Sequence, residues 1–303
     1  MDASAPGLWE ILGHVAFDIP WLLAIALALA WYARTVRQVN RRFPARKHPR
    51  LKTAAFVAAL AVTWIAVLGP VEYWGNILLW ANFFGFLLLT MFAAPLFVLS
   101  SPLTLAFRAA SKPRRRRLRS LYRGLPATWL TFPIFTWLAF AVLTYAWQFT
   151  ELTEVAARNV YVRDFQLASL LAIAFLFWLP AFAADPVRWR LNHPLRFLYI
   201  TLGMVHKGLF GGMFLSLNRP FHERMAADLP SWAPSAMDDQ RMAILVLWIG
   251  GNLVYLLGLA VVIHGWLGYE ARNTHRIDRR LAREREARRA RGQALERVFQ
   301  KGV

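Results

Sequence analysis

The stretch Leu78–Leu99, LLWANFFGFLLLTMFAAPLFVL, decides the fold. It holds no charged residue, only Asn82 and Thr90 carry side chains that strongly need hydrogen bonds, and Pro95 lies within it. The hydrocarbon core of a bilayer is roughly 30 Å thick and is crossed by about 20 mostly apolar helical residues. A run of this length and composition fits such a crossing, so its surroundings are lipid and neighbouring helices. In that medium the backbone must satisfy its own hydrogen bonds, which leaves helices or a closed barrel. Strand-like alternation is absent and the run is long, so the expectation is a helix.

The rest of the chain repeats the pattern. Of its 303 residues 57% are hydrophobic and 15% aromatic. Only 17% are charged, against about 25% in an ordinary soluble domain. Seven stretches are long and apolar enough to span: roughly 17–36, 53–71, 76–100, 128–147, 164–184, 197–217 and 242–267. The fold expected is therefore all-α, a polytopic membrane protein of seven transmembrane helices. Its domain organisation is a transmembrane domain over 1–268 and a basic tail over 269–303. The first sixteen residues contain no Lys or Arg and the apolar run after them is a full span, so no cleavable signal peptide is expected.

A net charge of +19 suggests nucleic acid until its distribution is read. Lys and Arg cluster between Arg34 and Lys52, between Arg108 and Arg123, between Arg188 and Arg196, and from Arg272 onward, which is 30 of the 36. The opposite loops hold Arg158, Arg163, Arg219, Arg224 and Arg241, and Lys207 lies within a span. Such a split is a positive-inside signal, placing the N-terminus outside and the C-terminus in the cytoplasm. The basic loops and tail then read as topology determinants that attract anionic lipids, with no nucleic-acid role. The tail, rich in helix formers, fits a helix on the inner membrane face with Ile277, Leu281, Leu295 and Val298 as sparse contacts, or a solvated extension. Cysteine is absent, which excludes thiol redox chemistry, Cys-x-x-Cys metal transfer and iron–sulfur ligation by this chain.

Within the spans, Pro95, Pro133 and Pro180 are expected to kink their helices. Gly208 and Gly212 form a Gly-x-x-x-Gly pair suited to close helix approach. Ionisable groups at membrane depth are costly and are functional candidates by default. In GMVHKGLFGG, His206 and Lys207 both lie near mid-helix, roughly 15 Å from the outer end. Lys207 is long enough to lift its ammonium toward the outer interface and meet Asp239 or water. His206 is too short for that, so it either hydrogen-bonds a neighbouring helix or ligates something. It cannot share a metal with Met213, which lies roughly 10 Å further along the axis. A metal site would have to borrow from the outer loop, where His222, Met225 and Met237 are available, and thioether with imidazole suits Cu(I). Haem is not expected, because His206 and His264 differ in depth by roughly 20 Å. Glu72, Asp164, Asp238 and Asp239 fall at outer helix boundaries with Asn82 just inside, so the unexplained polar groups collect in the outer half.

Several blocks occur in a familiar order: LLLTMFAAPLFVLSSPLTLAFR (Leu87–Arg108), FWLP (Phe177–Pro180), ADP (Ala184–Pro186), HPLRFLY (His193–Tyr199), HKGLFGG (His206–Gly212) and DQRMAILVLWIGGNLVY (Asp239–Tyr255). Together they resemble the multi-spanning CtaG family of cytochrome c oxidase assembly factors. The resemblance implies a non-enzymatic bacterial plasma-membrane protein that supports formation of haem–copper oxidase, through its copper centres, with the oxidase subunits as partners. His206 and Asp239 match the family pattern. The family's His-x-x-x-His pair before the leucine run reads Asn82 and Phe86 here, and the start of the fifth span, another place where the family carries His, reads YVRDFQLAS (Tyr161–Ser169). Candidate metal ligands are thus His206, Asp239, His222 and Met225 toward copper, with Asn82 and Lys207 as further intramembrane polar groups. Two other classes stay open: a metal-free accessory subunit of a respiratory complex, and a cation or proton carrier using His206 and Lys207.

Overall fold

The computed structural model describes residues 7, 9, 13, 17–182, 184, 185 and 188–301. The described residues are helical with no strand. Two long helices come first, α1 (Ile19–Arg42) and α2 (Arg50–Val67). The central element α3 covers 79–100 in three parts: Leu79–Leu87, a π-helical turn Leu88–Ala93, and Ala94–Ser100. The short α4 (Pro102–Ala109) and the Arg-rich α5 (Lys112–Arg123) follow, then α6 (Pro133–Gln148), α7 (Val160–Phe182) and α8 (His193–Leu215). The last element, α9, covers 236–301 as Ala236–Leu245, a second π-helical turn Val246–Gly250, and Gly251–Lys301.

Among the described residues six helices are long and apolar enough to cross a membrane: α1, α2, the α3–α4 unit Leu79–Ala109, α7, α8, and Ala236–Thr274 of α9. The chain is a membrane protein on that basis. The fourth expected stretch, 128–147, is interrupted. A short helix Leu125–Leu130 ends at Thr131, and Pro133 opens a new helix of only 16 residues. At 1.5 Å per residue α6 is about 24 Å long, short of the roughly 30 Å hydrocarbon thickness. Pro133 therefore starts a helix rather than kinking one, because a proline costs least in the first turn, where its missing N–H has no partner to lose. At the other end of the chain, α9 runs without a break from the last span through the basic tail to Lys301. The side chains of Ile277, Leu281, Leu295 and Val298 lie outside the described residues.

The middle of α3 shows how the apolar sequence is held. In the π turn, Ala94 N–H bonds to Leu89 C=O, five residues back. The next residue is Pro95, which has no N–H to give. Thr90 C=O is thereby left without a backbone donor, and Trp178 Nε1 of α7 donates to it at 2.9 Å. An unpaired carbonyl in a bundle core is costly. The indole removes that cost while burying the whole Trp178 side chain. Around it Phe177, Tyr199, Tyr255 and Val98 form the main core, shared by α3, α7, α8 and α9.

Of the expected Gly208–Gly212 pair only Gly208 faces α9, where a Cβ would lie 3.5 Å from Trp248 Nε1, and Gly211 rather than Gly212 makes the close approach. A Cβ on Gly211 would lie 3.0 Å from the Trp248 ring, whereas one on Gly212 would meet nothing within 4 Å.

The N-termini of α3 and α4 are each capped by a distant aspartate. Asp239, in the first turn of α9, accepts Leu79 N–H at 2.8 Å through Oδ2 and Trp80 N–H at 3.1 Å through Oδ1. Asp185, after α7, accepts Leu103 N–H at 3.1 Å and Thr104 N–H at 2.8 Å, and the Thr104 hydroxyl donates to it at 2.6 Å. A carboxylate at a helix N-terminus meets unsatisfied N–H groups and the positive end of the helix dipole. Here the caps come from α9 and from the link after α7, so they also fix where these distant segments meet α3 and α4.

Candidate functional site

The polar residues in the outer half of the sequence pattern gather at the Asp239 end. Next to Asp239, Gln240 accepts Phe221 N–H at 2.9 Å and donates to Arg219 C=O at 3.3 Å. The pair thus ties α9 to the start of α3 on one side and to the loop after α8 on the other. Asn82 donates to Gly75 C=O at 3.3 Å, closing the turn between the short helix Pro70–Gly75 and α3. That is the reason for an amide in an otherwise apolar run: it satisfies a carbonyl where the chain doubles back. A Cβ on Gly75 would approach Asn82 Cα to 3.2 Å, so the close approach depends on glycine.

Beneath this turn is a small cavity of about 30 Å³ lined by Glu72, Asn82, Phe86, Gln148, Arg163 and Gln166, among others. Such a space holds about one water molecule. Arg163 and Glu72 form an ion pair, with Glu72 8% and Arg163 20% exposed. Asn76 adds a bond to the Glu72 carboxylate at 3.3 Å. Gln148 Oε1 is buried without a hydrogen-bond partner among the described residues. Arg163, Gln148 and Gln166 were not singled out in the sequence, although two amides at the ends of apolar stretches were the available signal.

The expected ligands occupy separate places. His222 is buried and donates through Nε2 to Gln148 C=O at 3.0 Å, while its Nδ1 has no hydrogen-bond partner among the described residues. Burial lowers its pKa, partly opposed by that bond and by Glu154. Met225 packs against the cluster containing Leu79, Phe83 and Phe86. Met237 lies half-buried in the first turn of α9. Both oxygens of Asp239 are taken by backbone N–H groups. Among the described residues no three His, Asp or Glu side chains converge as a ligand set.

His206 and Lys207 are arranged opposite to expectation. Lys207 points into the bundle and is 7% exposed. Its Nζ lies 5.3 Å from the centre of the Phe86 ring and 5.7 Å from that of Tyr255, with no hydrogen-bond partner among the described residues. The ammonium therefore faces aromatic π-clouds rather than Asp239. His206 is the half-buried member and meets the Trp137 ring of α6 edge-on, centroids 5.2 Å apart. Room for Lys207 comes from Gly251, where a Cβ would lie 3.3 Å from both Cδ and Nζ.

The family profile of the cytochrome c oxidase caa3 assembly factors (CtaG) matches residues 30–268. The chain belongs to that family. Similar proteins include uncharacterized proteins of Mycobacterium bovis and Mycobacterium tuberculosis, each 26% identical over 200 residues, and one of Mycobacterium leprae, 25% identical over 198 residues. The first two alignments cover 63% of this chain, and the third 62%. The chain spans only about a third of the length of these relatives: 30%, 30% and 29%. No solved structure matches.

The caa3 assembly-factor family raises the question of copper, and the polar cavity is where the two resemblance positions, Asn82 and Phe86, come together. The donors offered there are amide and carboxylate oxygens beside a guanidinium. Cu(I) prefers thiolate, thioether and imidazole, and Arg163 adds a positive charge that opposes any cation. The residues present do not fit a copper ion.

Proposed function

We propose that this chain acts as a non-catalytic assembly factor for a haem–copper oxidase in the bacterial plasma membrane. It crosses seven times, with α6 as a short crossing, its N-terminus outside and its Arg-rich end in the cytoplasm. The 30-to-five division of Lys and Arg supports the orientation. The observation that carries the functional reading is the family match over residues 30–268. In this reading the Asp239 end faces the oxidase as it receives its copper, and the oxidase or another protein supplies the metal ligands.

Deleting the gene in its source organism tests the proposal. Oxidase activity and the copper-to-haem ratio of isolated membranes are expected to fall together, and the wild-type chain restores both. Unchanged oxidase content after deletion overturns it. The donor chemistry around Glu72 and Arg163 favours a second, metal-free form of the reading, in which the chain holds a partner subunit. Purified protein is then expected to carry no stoichiometric copper by elemental analysis. A copper ion that survives mild chelation points instead to His222, Met225 and Met237.

A further inference from the structure

At the end of the bundle away from Asp239, a cavity of about 1160 Å³ opens between segments far apart in sequence. The connection after α1 and the first turn of α2 bring Arg46, Lys47 and Lys52. Helices α4 and α5 bring Arg108, Arg115 and Arg119, and the link before α8 brings Arg188. Among the described residues no acidic side chain lines the space. The carboxylate next to it, Asp185, is occupied in capping α4. Among the described residues no ion pair joins a carboxylate to Arg46, Lys47, Lys52, Arg108, Arg115 or Arg119.

Several of these cations are held in place by neutral acceptors. Arg108 donates to Arg46 C=O, and Arg115 donates through Nε to Phe107 C=O at 3.0 Å. Lys52 donates to the Ser101 hydroxyl at 2.7 Å. The same hydroxyl donates to Ala184 C=O at 3.0 Å, fixing the left-handed turn at Ser101, φ 55°. Loops that only set topology need neither a concave wall nor pinned side chains. The buried His48 ring lines the cavity too, and its pKa is lowered by burial and then by Lys52 and Arg108, as expected where positive charge is uncompensated. The cavity lies level with the end of α1, the start of α2 and the end of the α3–α4 span, which is headgroup depth. Phe43, Phe107 and Tyr122 give it an apolar wall.

We propose that this cavity is a binding site for a phosphate-bearing anion, best matched by the headgroup of an anionic phospholipid with two phosphates. Guanidinium forks fit phosphate oxygens bidentately, and basic pockets between membrane helices suit such headgroups. The site lies outside the polar cavity at the Asp239 end, and its occupancy does not rest on the assembly role.

The test uses full-length protein in nanodiscs of neutral phosphatidylcholine, with cardiolipin, phosphatidylglycerol or inorganic pyrophosphate added. Thermal stability and retained lipid, the latter by native mass spectrometry, are read for each. The double variant K47Q/R119Q removes two cations to which no described hydrogen bond is assigned, and R37Q/R41Q removes equal charge elsewhere on the same face. Cardiolipin is expected to raise the melting temperature and to stay bound to the wild type. K47Q/R119Q weakens that binding about thirtyfold, as the loss of two headgroup-depth charges predicts, and R37Q/R41Q leaves it near wild type. Stabilisation by pyrophosphate alone, abolished in K47Q/R119Q, keeps the phosphate site but makes its ligand soluble. Equal losses in the two variants, or no response to any phosphate, overturn the proposal.

Discussion

The two ends of the bundle use one device and finish it differently. At each, a buried aspartate from a distant segment caps a helix: Asp239 for α3 and Asp185 for α4. At the Asp239 end the remaining charge is neutralised within the protein, with Arg163 against Glu72 around a cavity of about 30 Å³. At the Asp185 end seven Lys and Arg side chains surround about 1160 Å³, and among the described residues no acidic side chain lines it. The lesson is that a cap fixes helix position at either end, whereas charge balance decides whether an end is closed by its own side chains or left to an outside anion.

Unbalancing the charge at the closed end is expected to have the largest effect. Glu72→Gln leaves the half-buried Arg163 with only the more distant carboxylates of Asp164 and Asp18, and removing one partner of a fully buried pair costs about 3–5 kcal/mol, an upper bound here. Its melting temperature and membrane abundance are therefore expected to fall markedly. The double replacement E72M/R163M recovers most of the loss, since both charges leave together. If the single and double variants are equally unstable, packing rather than charge closes this end.

The caps come next. Asp239→Ala and Asp185→Ala each strand two backbone N–H groups, at a cost of about 2–3 kcal/mol. Asn at either position is expected to restore part of it by returning one oxygen. Comparable losses in thermal unfolding make the two caps equivalent; a loss confined to Asp185→Ala would mean that Gln240 and its loop contacts suffice at the other end.

Lys207 lies between the two ends, and a smaller effect of opposite sign is expected there. Its ammonium is buried without a hydrogen bond among the described residues, so Lys207→Met, similar in length, should stabilise by about 1 kcal/mol. A stabilised protein that no longer supports the oxidase would assign Lys207 a functional charge kept at the expense of stability. A destabilised one would show that the Phe86 and Tyr255 rings hold the cation more strongly than its burial disfavours it.

The smallest effect is pH dependence, and it separates the ends through their histidines. His48 and His222 both have pKa values lowered from the ordinary 6.5 in the folded protein. The unfolded chain therefore binds more protons just below that value, and stability rises with pH through the window below about 6.5 and is lost as pH falls through it. His48→Gln and His222→Gln should each flatten part of the slope in thermal unfolding. A bound phosphate in the Arg-rich cavity should return the His48 pKa toward its ordinary value and flatten the same part, while leaving the His222 contribution unchanged.

Much of this was legible before any coordinates. Apolar runs of spanning length, the absence of strand alternation and ordered motif blocks were enough for helices, membrane and family. The break in the fourth stretch is not legible in this way, because hydropathy averages over 128–147 while Pro133 restarts the helix within it. Asp239 was visible as an outer-half candidate, but its task was not. Its two acceptors face N–H groups 160 and 159 residues away, and no local pattern announces such a cap.

The pair His206–Lys207 marks the boundary most clearly. Sequence alone determined that two ionisable side chains sit at mid-helix about 100° apart, because helical periodicity is local geometry. Which of them faces inward was decided by tertiary structure. The glycine at 251 and the π turn just before it let α9 come close enough to leave a slot for the longer side chain. Chain length and hydropathy are sums over a single helix, and any chain carries them in its sequence. A slot belongs to two helices at once and exists only after they have packed.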